Sequence, residues 1–507
     1  MKYEEGFFRR MILSVLPLEY TAGRGNRGDL LMSFARSGTV ARCRAALFML
    51  LTAVAVGGCT AHYPVNETVT DFKPEERYGL THSVLGGRSD KMLVMLTFSG
   101  GGTRAAAFSL GVMEELARTR AKVEGEEVRL LDEVDLISSV SGGSFTAAYY
   151  GLFGDRLFED FERDFLKVDV QGKLTRGLFS PFKWPKLWSP YYGRSEMAAD
   201  LYDQLLFEGK TYRDMLMPGR PMVMINATDM ALGAQFSFFQ PQFTLLCSNL
   251  LDFPVSRAVT ASSAVPIAFN SVILRNNTGE CVYALPQFLT EAYESRDTKS
   301  RRFHQAHLKL AYLNREQRPF VHLQDGGLSD NLGVRAIMDA FFLRGGAAQA
   351  LKETGLRQTN RIVIVVVNAE SAKDLSSAKK DTSIPLFETI GAAASVPLNH
   401  YSFETLELLH QQVELWEKDL IAARCEYFLE TKKLGAENLL ETACADVETY
   451  VIEVSFKSIR DAEERIFLEN LPTSFRLADD EVERLEEAGA RLLRKSKEFQ
   501  RFLKQLP

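Results

Sequence analysis

The apolar positions of this chain gather into short runs separated by longer amphipathic stretches. Residues 91–98 form the clearest run, continuous rather than alternating, which suits a strand covered on both faces. Residues 134–140, 221–227, 318–323 and 361–367 read as four more strands. Helical periodicity fills 103–117 and resumes from Ser144 through Tyr150. Strands alternating with helices predict an α/β fold of three layers, with helices on both faces of a mostly parallel central sheet. Residues 371–507 predict a helical C-terminal extension packed on that domain, with long helices over 385–445 and 479–507. The second opens with Asp479-Asp-Glu-Val-Glu-Arg-Leu485 and carries opposite charges at i, i+4, as a solvated face does.

The N-terminus is patterned differently. Residues 1–31 look unlike the rest, with no apolar period in Gly23-Arg-Gly-Asn-Arg-Gly-Asp29, and read as an over-extended start, with Met32 as the initiator. Arg36, Arg42 and Arg44 then precede an apolar stretch over 45–56 and the sequence Val56-Gly57-Gly58-Cys59. A dozen apolar residues are too few for the ~20 that cross a bilayer, and suit a signal peptide. An aliphatic residue, two small residues and a Cys resemble a lipobox. Residues 1–58 are therefore expected to be removed, Cys59 to be lipidated, and 59–89 to be a tether ahead of a catalytic domain at 90–370. That predicts an exported bacterial lipoprotein, held at the outer membrane of a Gram-negative cell by acyl chains. With 46% hydrophobic and 25% charged residues and a net charge of −6, the chain is an ordinary folded protein with no basic surplus for nucleic acid. Loss of 1–58 removes more basic than acidic residues, so the lipid anchor, not charge, must localise it.

Cys247, Cys281, Cys425 and Cys444 also lie beyond the leader. In an exported chain they predict disulfides, and Cys247–Cys281 with Cys425–Cys444 closes the two local loops. Their spacing matches no zinc pattern, and neither a metal nor any other cofactor is expected.

Three glycine-rich turns carry candidate chemistry, and each follows a predicted strand. Ser139-Val140-Ser141-Gly142-Gly143 has the strand–turn–helix setting of a nucleophile elbow, with Ser139 where a glycine is usual. Gly100-Gly101-Gly102-Thr103-Arg104 can aim backbone N–H groups at an anion from a helix N-terminus. It lacks the Gly-Lys-Ser/Thr ending of a phosphate loop. Asp325-Gly326-Gly327 offers a carboxylate base, or merely a turn. Hydrolysis of an ester needs a nucleophile, a base and donors for the oxyanion, and these turns supply all three.

In this order the motifs resemble the patatin-like phospholipase family, which has a glycine-rich loop followed by Arg, a serine elbow and an Asp-Gly-Gly/Ala turn. Ala227-Thr-Asp229 and the segment 256–269, which contains Ala261-Ser-Ser-Ala-Val-Pro266, resemble two further stretches of that family. The resemblance covers about 90–370. It implies a Ser141–Asp325 dyad without histidine. It also implies an oxyanion hole from Gly100, Gly101, Gly102 and Gly142, support of the loop by Arg104, and motif glycines at Gly143, Gly326 and Gly327. A Ser–Asp–His arrangement using His400 or His410 stays open, since both follow Asp325. The implied activity is lipid acyl hydrolysis of the phospholipase A or lysophospholipase type, with phospholipid or lysophospholipid as substrate. A non-lipid carboxylesterase and a silent lipid- or partner-binding scaffold are the alternatives. The aromatic, proline-rich stretch 178–192 reads either as a lid or as a membrane contact. No protein partner can be named.

Overall fold

The computed structural model describes residues 66–72, 78–80 and 87–506, apart from 182, 188, 190, 372–380, 382, 384–385 and 433–446. The chain divides into units 1–60 and 61–507, and every described residue belongs to the second. The leader, Met32, Cys59 and Cys444 lie outside the described residues. Among the described residues no helix is long and apolar enough to cross a membrane.

Strands are numbered in chain order: β1 Met92–Phe98, β2 Arg120–Val123, β3 Glu126–Arg129, β4 Val134–Val140 and β5 Met222–Asp229. There follow β6 Ala234–Phe238, β7 Val272–Arg275, β8 Phe320–Asp325, β9 Arg361–Asn368 and β10 Glu448–Ser455. Eight of them form one sheet in the order β10-β9-β1-β4-β5-β8-β7, with β6 also on β5; β2 and β3 make a separate hairpin. Every residue of β1, β4 and β5 is buried, as suits central strands covered on both faces, and the polar residues of β4 and β5 are buried with the rest. From β10 to β5 all neighbours are parallel. From β1 the chain steps through the helix Gly102–Arg118 to β4, and from β9 through the helix Leu386–Lys432 to β10, in opposite directions. Right-handed crossovers therefore set these helices on opposite faces and give the three layers expected.

Three features add to the sequence reading. The sheet ends in an antiparallel portion, because β6 and β8 oppose β5 and β7 opposes β8. The Asp325 turn is thus reached against the direction of the parallel strands. Residues 371–507 are mostly helical but also supply β10, which pairs in parallel with β9 along its whole length. Its burial alternates for most of its length, as on an edge strand with one face half covered, so its sequence lacks a continuous apolar run. Finally, part of the stretch read as a tether is docked on the domain. Tyr78 is buried against Tyr212 and its hydroxyl accepts the Val223 N–H at 2.7 Å. Asn66 binds both backbone groups of Arg275, its Oδ1 accepting from N–H at 2.7 Å and its amide donating to the carbonyl at 2.9 Å.

The C-terminal helix Asp479–Lys495 packs across Gly102–Arg118. At the crossing a side chain on Gly111 would run into the backbone of Glu486, and one on Gly489 into the carbonyl of Phe108. Only glycine lets the two backbones approach so closely. Cys247 and Cys281 are joined by a disulfide. Cys425 is disulfide-bonded as well.

Candidate active site

Ser141 stands between the last residue of β4 and the helix Gly142–Phe153, at φ 48° and ψ −118°. A non-glycine residue at such a φ costs about 1–3 kcal/mol and persists only where its surroundings hold it. The Ser141 N–H donates to Ser262 Oγ at 2.8 Å, and the Ser262 hydroxyl donates in turn to the carbonyl of Asn226 at 2.6 Å. Ser144 Oγ lies 3.0 Å from the same hydroxyl oxygen. A Cβ on Gly142 would meet the backbone of Gly102, and one on Gly143 the backbone of Phe98 and Ser99. The sharp turn thus closes only with glycine after the serine.

β5 sets the distance to the carboxylate. Val140 pairs with Asn226, and the next residue of β5, Ala227, pairs with Asp325. Ser141 Oγ consequently donates to Asp325 Oδ2 at 2.9 Å, and the Gly327 N–H donates to Oδ1 at 2.8 Å. The hydroxyl of Thr228 donates to the Asp325 carbonyl at 2.8 Å, while the Asp325 N–H donates to the carbonyl of Ala264 at 3.0 Å. Burial raises the Asp325 carboxyl to about 6, against the smaller lowering effects of the Gly327 N–H and the Ser141 hydroxyl. Gly326 backs onto the carbonyl of Asn226, where a Cβ would not fit. His400 and His410 are exposed on the helix Leu386–Lys432, and neither is bonded to Asp325.

The glycine-rich loop lies directly against this pair. Gly101 and Gly102 have φ of 144° and 60°, and a Cβ on Gly100 would touch that of Ser141. The Gly100 N–H donates to the carbonyl of Asn331 at 2.9 Å, so it is not aimed at a reacting group as the sequence suggested. Gly102 lines the same cavity as Ser141. The helices Gly102–Arg118 and Gly142–Phe153 start here together, which brings their first residues, Gly102 and Gly142, against each other next to Ser141.

Arg104 supports this loop from behind. It is buried, and burial brings its guanidinium down to about 10. It donates to the carbonyl of Ala369 at 3.0 Å, to that of Leu471, and to Thr473 Oγ1 at 3.1 Å. The Thr103 N–H donates to the carbonyl of Ser474 at 2.9 Å. Sequence reasoning did not find this clasp. Residues 471–475 carry no motif, and only the fold brings them over the loop. Ser262 and Asn331 were missed too, although Ser262 lies inside the segment singled out by resemblance.

Ser141 opens into a cavity of 340 Å³ walled by apolar side chains, among them Leu174, Leu178, Met197, Val265, Phe269 and Phe475. Leu178 of this wall begins the stretch 178–192, which exposes Phe179, Trp184 and Tyr191, at 71%, 46% and 52%.

The sequence matches a family model described as patatin-like phospholipase over residues 96–338. No curated protein matches it. Among solved structures, human GIVD cytosolic phospholipase A2 aligns at 12% identity and a TM-score of 0.42, covering 87% of this chain and 65% of that one. The human GIVD enzyme in complex with methyl gamma-linolenyl fluorophosphonate aligns at 12% and 0.38, covering 86% and 64%. VipD from Legionella pneumophila aligns at 11% and 0.26, covering 85% and 71%. The chain therefore spans less than two thirds of the length of the human protein.

Proposed function

The chain belongs, through residues 96–338, to the patatin-like phospholipase family, and from that premise we propose that it is a lipid acyl hydrolase working through an acyl-serine intermediate. The observation that carries this reading is the direct 2.9 Å hydrogen bond from Ser141 to Asp325 in a buried site. Asp325 takes the serine proton as Oγ attacks the ester carbonyl. The Gly327 N–H fixes the carboxylate's other oxygen, so Oδ2 keeps facing the serine. Amides of Gly101, Gly102 and Gly142, at the two convergent helix ends, receive the negative charge of the tetrahedral intermediate. The leaving alcohol departs with the proton from Asp325. Water then attacks the acyl-serine by the same route in reverse, and the fatty acid leaves. The apolar cavity beside Ser141 suits an acyl chain.

The test is a panel of defined phospholipids, lysophospholipids and short neutral esters, given to the purified protein and to Ser141→Ala. Fatty acid release from the lipids by the wild type alone is expected. Turnover confined to short neutral esters would make the protein a non-lipid carboxylesterase. No turnover at all would leave a scaffold that binds lipid or a partner.

A further inference from the structure

Of the described residues lining the 340 Å³ cavity at Ser141, Arg194 alone is charged. It opens the helix Arg194–Tyr202 and also lines a second cavity of 450 Å³, sharing that boundary with Leu178. The two cavities differ in character. The first is walled mainly by hydrocarbon around the nucleophile, whereas the second presents Ser189, Tyr192, Asn270 and Ser271. Arg194 is held rather than loose. Its backbone N–H donates to Asn270 Oδ1 at 3.1 Å and its Nε lies 3.5 Å from the same oxygen. Among the described residues its terminal guanidinium nitrogens have no carboxylate partner. Glu196 also lines the second cavity, where its carboxylate is engaged with the Gly193 N–H at 2.9 Å and with Arg257 at 3.9 Å. Arg104, the arginine of the glycine loop, faces the clasp 471–473 instead.

A half-buried guanidinium with its fork open, at the end of an apolar cavity, favours an anion, and phosphate accepts both of its parallel N–H donors. Each group of a phospholipid has a counterpart here: the apolar cavity for an acyl chain, Ser141 for the ester and Arg194 for the phosphate, both lining that cavity, and the second cavity, which Arg194 also lines, for the headgroup. We propose, resting on the acyl-hydrolase reading above, that Arg194 is the specificity-determining residue of this site. It binds the headgroup phosphodiester of the lipid whose ester Ser141 attacks, and so separates phosphate-bearing from neutral glycerides.

The experiment compares palmitoyl lysophosphatidylcholine with monopalmitoylglycerol, each in the same neutral detergent micelles, for wild type, Arg194→Gln and Arg194→Lys. The wild type should prefer the phosphate-bearing ester in kcat/KM. In Arg194→Gln that preference should fall roughly ten- to a hundredfold, as expected for loss of a hydrogen bond between charged groups, and mainly through KM. Arg194→Lys should recover most of it, because the charge remains. A wild type with no preference overturns the proposal without any variant. So does an Arg194→Gln that loses both substrates in parallel, as a purely structural role would cause, or keeps the wild-type ratio. A wild type that cleaves neither ester overturns the acyl-hydrolase reading itself, a result distinct from lost discrimination.

Discussion

At Ser141 backbone strain and chemical exposure have one cause. The positive φ turns the side chain away from β4 and toward Asp325, and the brace from Ser262 holds it there. Burial lifts the Asp325 carboxyl to about 6, and only the ionised form can accept the serine proton. Activity should therefore fall as pH drops through about 6, not near the usual 3.8 of a carboxyl, and a kcat/KM profile from pH 4 to 9 checks this. The sign for stability is opposite. A carboxyl whose folded pKa is raised favours folding while protonated, and that contribution is lost as pH rises through about 6. Asp325→Asn should thus abolish nearly all turnover yet melt no lower than wild type at pH 8. A drop of several degrees in Tm would mean that the ionised carboxylate holds the fold together. Serine and glycine chemistry of this kind was legible in the sequence, because each residue must be of one type at one turn. The commitment of the Gly100 N–H to Asn331 was not, since it depends on a loop more than two hundred residues away.

Among elements, the glycine-rich loop and the segment 471–475 form one unit. The Arg104 side chain and the Thr103 N–H tie the two together, and the helix Asp479–Lys495 is pressed on the helix behind the loop. Arg104→Lys keeps the charge but cannot bridge three acceptors. It should destabilise the protein by about 2–3 kcal/mol, roughly 1 kcal/mol for each lost hydrogen bond. It should also lower kcat more than KM, because the loop amides act on the transition state. Denaturant unfolding beside steady-state kinetics checks both, and an unchanged kcat would detach the clasp from catalysis. Five strands were legible because each begins in or carries a short apolar run, continuous in β1 and β9. Strands β6, β7 and β10 escaped because they are short or interrupted by polar residues. The antiparallel direction of β8 escaped for a different reason: strand polarity follows from the connections, not from the residues.

For the whole molecule the question is how a buried serine meets a lipid. Phe179, Trp184 and Tyr191 stand exposed beside the cavity, together with Ile267 from the loop after Ser262. Rings at a surface of this kind favour the bilayer interface over water. Replacing Phe179 and Trp184 by Ser should weaken binding to phosphatidylcholine vesicles and slow their hydrolysis several-fold, with little change on a dispersed short ester. Equal loss on both substrates would make the stretch a packed lid. Cys59 is proposed as a second attachment, and Cys59→Ser should move the protein out of the membrane fraction or leave an uncut precursor. The central claim remains the direct pairing of Ser141 and Asp325, and peptide mapping by mass spectrometry after treatment with a lipid-like fluorophosphonate tests it most directly. The account predicts an adduct on Ser141 in the wild type, in His400→Ala and in His410→Ala. It predicts none in Ser141→Ala and greatly slowed labelling in Asp325→Asn. An adduct on another residue, or full labelling of Asp325→Asn with loss in either histidine variant, would contradict it.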